Sequence, residues 1–208
     1  MLKIACLPFN PIQENTYVLW DETNECVVID AGNSSPREDA ALDNFIAEHG
    51  LKPVLAANTH GHFDHTLGVE HLKQRYGIPF ALSSKDAFLL ENAATSGSIF
   101  GVKVGAMPTV ERDLDGEQEI RFGKTILRVL RTPGHTPGHV AFFDEGSASR
   151  SAARTCPEAT TRGSCARSST CSSRWATKYT STRATVPNRP SATRCSTTPS
   201  SSRCSTRR

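Results

Sequence analysis

The apolar positions fall into two rhythms. Short runs rich in β-branched residues open the chain at Lys3 to Leu7, Thr16 to Trp20 and Glu25 to Asp30, each closed by Asn, Pro, Asp or Gly, and they predict a meander of strands. Ser35 followed by Pro36 marks a helix start. Leu42, Phe45, Ile46 and His49 then keep helical spacing until Gly50 stops it. Pro53 to Asn58 reads as a fourth strand, followed by the polar cluster Thr59 to His65 and a helix from about Val69 to Tyr76 ended by Gly77. Pro79 to Leu82 is extended, and Ser84 is placed to cap a helix reaching about Ala94. Thr95 to Pro108 lacks periodicity and reads as a surface loop. Gln118 to Phe122 and Thr125 to Arg131 form a hairpin about Gly123, and Val140 to Asp144 is a last strand. Strands alternating with helices, with His and Asp at strand ends, predict a layered α/β domain.

The pattern stops near Gly146. Up to that residue twelve Lys and Arg face twenty Asp and Glu; from Ser147 on, twelve basic residues face Glu158 alone. The net charge of +3 is therefore a balance of opposites and says nothing of nucleic-acid partners. After Ser147 there is no Leu, Ile, Phe or Met, and Val186 is the one branched aliphatic, so this segment has no material for a core. The chain divides into a domain over 1–146 and a basic Ser/Thr/Arg-rich tail over 147–208, expected to be disordered. Cys6 and Cys26 read as small buried thiols. With seven cysteines, no export signal at the start and no apolar run of membrane-spanning length, the expectation is a cytoplasmic protein without a membrane partner.

The chemistry concentrates in Thr59-His60-Gly61-His62-Phe63-Asp64-His65. In extended backbone His60 and His62 project to one side, with Asp64 and His65 in the turn that follows and Gly61 easing the bend. Imidazole and carboxylate suit zinc, iron or manganese, and a catalytic centre needs three protein donors with one position open to water. A second cluster, TPGHTPGH, supplies His135 from a distant part of the chain.

The order NPIQENTYVLWDE, VVIDAGN, NTHGHFDHTLG and RTPGHTPGHV resembles the metallo-β-lactamase superfamily, and within it the glyoxalase II-like (hydroxyacylglutathione hydrolase-like) group, from Met1 to about Gly146. The resemblance implies an αββα sandwich, incomplete here in its C-terminal half, with two metal ions, zinc first. His60, His62 and His135 match ligands of the first metal; Asp64 and His65 match ligands of the second, with Asp64 the candidate catalytic carboxylate. Asp30 and His139 match positions behind the ligands. The implied reaction is hydrolysis of an acylglutathione thioester, of the S-D-lactoylglutathione class, by metal-bound hydroxide.

The family pattern also needs a bridging Asp and a further His downstream, and this chain has no His after His139. Read one base out of register, the codons from Ser151 permit GRTDLPGGDHE, and those from Trp175 permit GDEVHFYPGHGPEPTIGYEMQHNPFL. Both are what the family's last third looks like, so the segment after about Gly146 reads as frameshifted translation. With the second ligand set reduced to Asp64 and His65, at most one metal and impaired turnover are expected. Two alternatives stay open: an iron-dependent persulfide dioxygenase of the same superfamily, and a non-catalytic protein whose basic tail binds nucleic acid.

Overall fold

The computed structural model describes residues 1–144, so the tail and its frameshifted reading lie outside the described residues. The element order is β1 (Lys3–Phe9), β2 (Glu14–Trp20), β3 (Glu25–Ile29), α1 (Pro36–Glu48), β4 (Lys52–Ala57), α2 (Val69–Tyr76), β5 (Phe80–Leu82), α3 (Ala87–Glu91), α4 (Ala93–Ile99), β6 (Arg112–Asp113), β7 (Glu119–Phe122), β8 (Thr125–Arg131) and β9 (Val140–Asp144). Single 3₁₀ turns occupy Phe63–His65 and Ser84–Asp86.

β1 to β6 form one sheet in sequence order, antiparallel from β1 to β3 and parallel from β3 to β6; β7, β8 and β9 form a second, antiparallel sheet. The period of two along each strand sorts the core into two layers. Val18, Val28, Ala56, Phe80 and Leu82 face the helices, where Leu42, Phe45 and Ile46 of α1 and Val69 and Leu72 of α2 cover them. Leu19, Val27, Ile29, Leu55, Ala57 and Ala81 face the second sheet and meet Ile120, Phe122, Leu127, Val129 and Val140. Each fully buried side chain of this size contributes about 1.5–3 kcal/mol of apolar transfer energy. The layers are therefore helix, sheet, sheet, and the mixed α/β architecture expected from the sequence is the one found.

Local signals placed most elements. Ser35 caps α1 by accepting the Glu38 N–H, while Glu38 reaches back to the Ser34 N–H at 2.7 Å, one residue before the cap, with Pro36 in the first turn. Gly77 ends α2 in the left-handed region, at φ 66°, where its N–H meets the Lys73 carbonyl. Three expectations need correction. Ser84 does not cap one long helix: it opens a 3₁₀ turn, and the helix breaks at Asn92 into α3 and α4. Residues 95–99 are helical and not loop, because Ala93, Phe63 and Val102 form a small buried cluster that holds α4 in place. Cys26 is buried as expected, and burial pushes its thiol up to about 12; Cys6 is half-buried and bonds the Asn15 side chain at 3.4 Å.

Candidate metal centre

The carboxyl ends of β3, β4 and β5 lie along one edge of the large sheet, the place where open parallel sheets present their loops to ligands. β3 delivers Asp30, β4 delivers Asn58 to His60, and β5 delivers Ser83 to Asp86. The antiparallel β2 begins at that edge with Glu14, and the second sheet adds its β8–β9 loop, residues 132–139.

Three imidazoles converge there. His62 Nδ1 lies 3.0 Å from His60 Nε2 and 3.1 Å from His135 Nε2, and these donor atoms all fall within 4.8 Å of one another. His135 arrives from a loop 73 residues further along the chain. His60 is buried, and behind it stands an ordered relay. Asp30 accepts the Thr59 N–H at 2.7 Å and the Thr59 hydroxyl at 2.8 Å. With its one proton committed to Asp30, the Thr59 oxygen accepts from His60 Nδ1 at 3.0 Å. That leaves Nε2 of His60 with its lone pair pointing at the other two rings, the tautomer a metal needs.

Electrostatics favour neutral rings. Burial, followed by the neighbouring His65, His62, His135 and His139, drives His60 down to about 2; burial and His135 likewise lower His62. His139 is lowered by burial and by His135. Its Nδ1 is 2.8 Å from the Thr132 hydroxyl, and its ring lies 5.3 Å from that of His60, outside the trio. Three imidazoles with converging nitrogens, His60 and His62 favoured in the neutral form, fit a divalent cation by the chemistry of the donor set.

A second group lies alongside. The His65 ring lies 4.2 Å from that of His60, tilted 56° to it. Its Nδ1 is 3.4 Å from Asp30 and 3.6 Å from Glu14, and its Nε2 is 3.7 Å from the Asp64 carboxylate. Burial acts against the charged form of His65, but Asp30 and Asp64 outweigh it and raise its pKa. Burial, reinforced by the charge of Asp30, raises Glu14 to about 10. Asp30 itself holds a left-handed backbone, φ 53°, which turns the chain out of β3; Asp tolerates this conformation better than most residues.

Sequence reading singled out His60, His62, Asp64, His65, His135, Asp30 and His139, and the fold gathers all seven at this edge. It gave no role to Glu14, Asn10 or Asp86, nor to Thr59 at the head of its first string. Asn10 and Glu14 sit in the NPIQEN turn, where composition signals only a bend; yet the Asn10 amide donates to the Gly32 and Asp64 carbonyls, pinning two loops. Gly61 also has a different reason than expected. Its φ is not in the left-handed region, but a Cβ there would lie 2.8 Å from the Asp86 carbonyl oxygen and 3.0 Å from the Asp86 Cβ, so space excludes a side chain.

The chain is similar to several known proteins. The Bacillus subtilis protein named "Probable metallo-hydrolase YqgX" is 32% identical over 68% of this chain and 65% of its own length. Hydroxyacylglutathione hydrolase GloC of Haemophilus influenzae is 30% identical over 69% of this chain and 66% of its own. The chain thus spans a little under two thirds of the length of these relatives. Among solved structures, TTHA1623 in a di-iron-bound form superposes with a TM-score of 0.59 at 33% identity, covering 69% of this chain and 68% of that one. The model of the metallo-beta-lactamase superfamily matches residues 9–147, and this chain, with its two-sheet fold and converging histidines, belongs to that superfamily.

Proposed function

We propose that the chain is a metal-dependent hydrolase of the glyoxalase II type, acting on acylglutathione thioesters of the S-D-lactoylglutathione class in the cytoplasm. The hydrolase domain is 1–146, and 147–208 is a basic tail apart from it. The observation that carries the reading is the meeting of His60 Nε2, His62 Nδ1 and His135 Nε2 within 4.8 Å. The relatives named hydroxyacylglutathione hydrolase support the substrate class.

In this reading His60, His62 and His135 hold one divalent cation, with zinc the first candidate and iron or manganese open. A cation so held lowers the pKa of water from about 15.7 to about 7 and polarises a carbonyl. Asp64 takes the catalytic part: its carboxylate lies 3.7 Å from His65 Nε2 and can hold a proton or a further cation. Asp30, through Thr59, fixes the His60 ring, and His139 supports the loop that carries His135. Because no His follows His139 and Glu158 is the sole Asp or Glu after Glu145, the remaining donors for a second cation are few, and turnover falls well below that of a complete relative. Among the described residues no helix is long and apolar enough to cross a membrane.

The test is to load the full chain with zinc, count bound metal, and follow thiol release from S-D-lactoylglutathione. One cation per chain and slow thiol release, both abolished by His62→Ala, are expected. Absence of bound metal overturns the reading. So does oxygen consumption with glutathione persulfide in place of thiol release, which would assign the chain to the dioxygenases.

A further inference from the structure

Asp86 belongs to none of the motifs that mark the site, yet it is fully buried where β5 gives way to α3, and it touches both histidine loops. Its Oδ2 accepts the Gly61 N–H at 3.0 Å and the Thr136 hydroxyl at 2.6 Å, and its Oδ1 accepts the Gly138 N–H at 2.7 Å. Gly61 lies between His60 and His62; Thr136 directly follows His135. One carboxylate thus ties the Gly61 segment, 25 residues before it, to Thr136 and Gly138, 50 and 52 residues after it.

Shape reinforces the bonds. A Cβ on Gly61 would come within 3.0 Å of the Asp86 Cβ, and one on Gly138 within 2.8 Å of the Asp86 carboxyl carbon and of the Ser83 hydroxyl. Both loops lie directly on this residue with no room for a side chain between. Three hydrogen bonds converge on this one side chain, and burial keeps water from competing for them. His135 is itself exposed, so its distance from His60 and His62 is set by what holds its loop from beneath.

We propose that Asp86 is a positioning residue: it fixes the His135 loop against the His60–His62 loop and thereby sets the affinity of the three-histidine site for a divalent cation. This rests on the reading of those histidines as a metal site. Of the loop's other tethers, the Val140 N–H to the Thr59 carbonyl at 2.9 Å secures its far end, beyond His139. The Asp86 bonds fall at Thr136 and Gly138, directly after His135.

The probe is Co(II), titrated into the chelator-treated full chain and read by its visible absorption, with far-UV circular dichroism and melting temperature measured alongside. Asp86→Asn keeps the shape but has one oxygen for donors that now use two, and is expected to weaken Co(II) binding about 10–100-fold, the range for residues supporting metal ligands. Thr136→Val should weaken it about tenfold, and Thr136→Ser, which keeps the hydroxyl, should restore it. Should Asp86→Asn fail to fold, the Thr136 pair carries the test. Unchanged Co(II) affinity and spectrum in folded Asp86→Asn or Thr136→Val, with only the melting temperature lowered, overturns the proposal. A parent chain with no Co(II) spectrum sensitive to His135→Ala overturns the metal-site reading beneath it, a result distinct from equal binding by parent and variants.

Discussion

The two ends of the sandwich are fastened by the same device and differ in what the device holds. At the end away from the histidines, Asp21 follows β2 and is buried. It accepts the Thr23 N–H and hydroxyl, the Lys124 N–H and the Thr125 hydroxyl, so that one carboxylate joins the β2–β3 turn to the β7–β8 hairpin. At the other end Asp86 does the same for two loops. Each clamp presses on a glycine of the segment it captures, Gly123 in one case and Gly138 in the other. At the Asp21 end the captured segments carry no histidine and the clamp joins sheet to sheet. At the Asp86 end the captured backbone carries imidazoles, and a fastening of the fold becomes a setting of donor distances. A buried carboxylate gathering N–H groups is thus no sign of chemistry in itself; what matters is which side chains its partners bring along.

The comparison is broken most severely by Gly123→Ala. A Cβ there would lie 2.2 Å from the Thr23 hydroxyl and about as close to both Asp21 oxygens, at a residue with φ 51°. Strain and lost bonds together should cost about 2–4 kcal/mol in urea unfolding, with Co(II) affinity per folded molecule unchanged.

Asp21→Asn is next, at about 1–2 kcal/mol near neutral pH. Its pH dependence is diagnostic. Burial works against ionisation of Asp21, but the bonds from Thr23, Lys124 and Thr125 outweigh it and hold the carboxyl down to about 2, below its ordinary 3.8. A depressed carboxyl contributes stability that is present above 3.8 and is lost as pH falls through about 2, so the parent and the variant should converge there. A gap that stays constant from pH 7 to pH 2 would show that the charge contributes nothing.

The smallest effect on stability is expected from His135→Ala. The residue is exposed, so the melting temperature of the metal-free protein should move by the equivalent of about 0.5 kcal/mol or less, while metal affinity drops by about 100-fold or more. A large loss of stability without metal would mean that the β8–β9 loop is held by its histidine and not by Asp86.

Much of this was legible in the sequence, and the reason is locality. Strands β3, β4 and β9, helix α2 and the hairpin at Gly123 are written in periods of two or 3.6 and in Gly stops, which need no distant information. His60, His62 and His65 share one short string, so their chemistry shows without the fold. His135 stands in what alone reads as a Pro/Gly turn, and becomes visible only beside the first cluster and through the family resemblance. What escaped depends on approach from afar. Asp86 sits in SSKDA, a string with no signal, and gains its importance only when β5 lies beside β4 and the β8–β9 loop crosses above. Glu14 looks like a turn residue until the fold buries it beside Asp30 and His65. The break at Asn92 and the helicity of residues 95–99 come from packing on Phe63, which propensity does not encode.

The line Asp30, Thr59, His60 has a direction. It has one mobile hydrogen at each junction, and all of them point toward the carboxylate. Exchanging Asp30 for asparagine would let an amide offer a hydrogen to the threonine oxygen, which could then turn its own toward the ring. The ring would answer by carrying its hydrogen on the opposite nitrogen, the atom that faces His62. A change of one atom two residues away in this line would thereby plug the mouth of the site from within, with every heavy atom still in place.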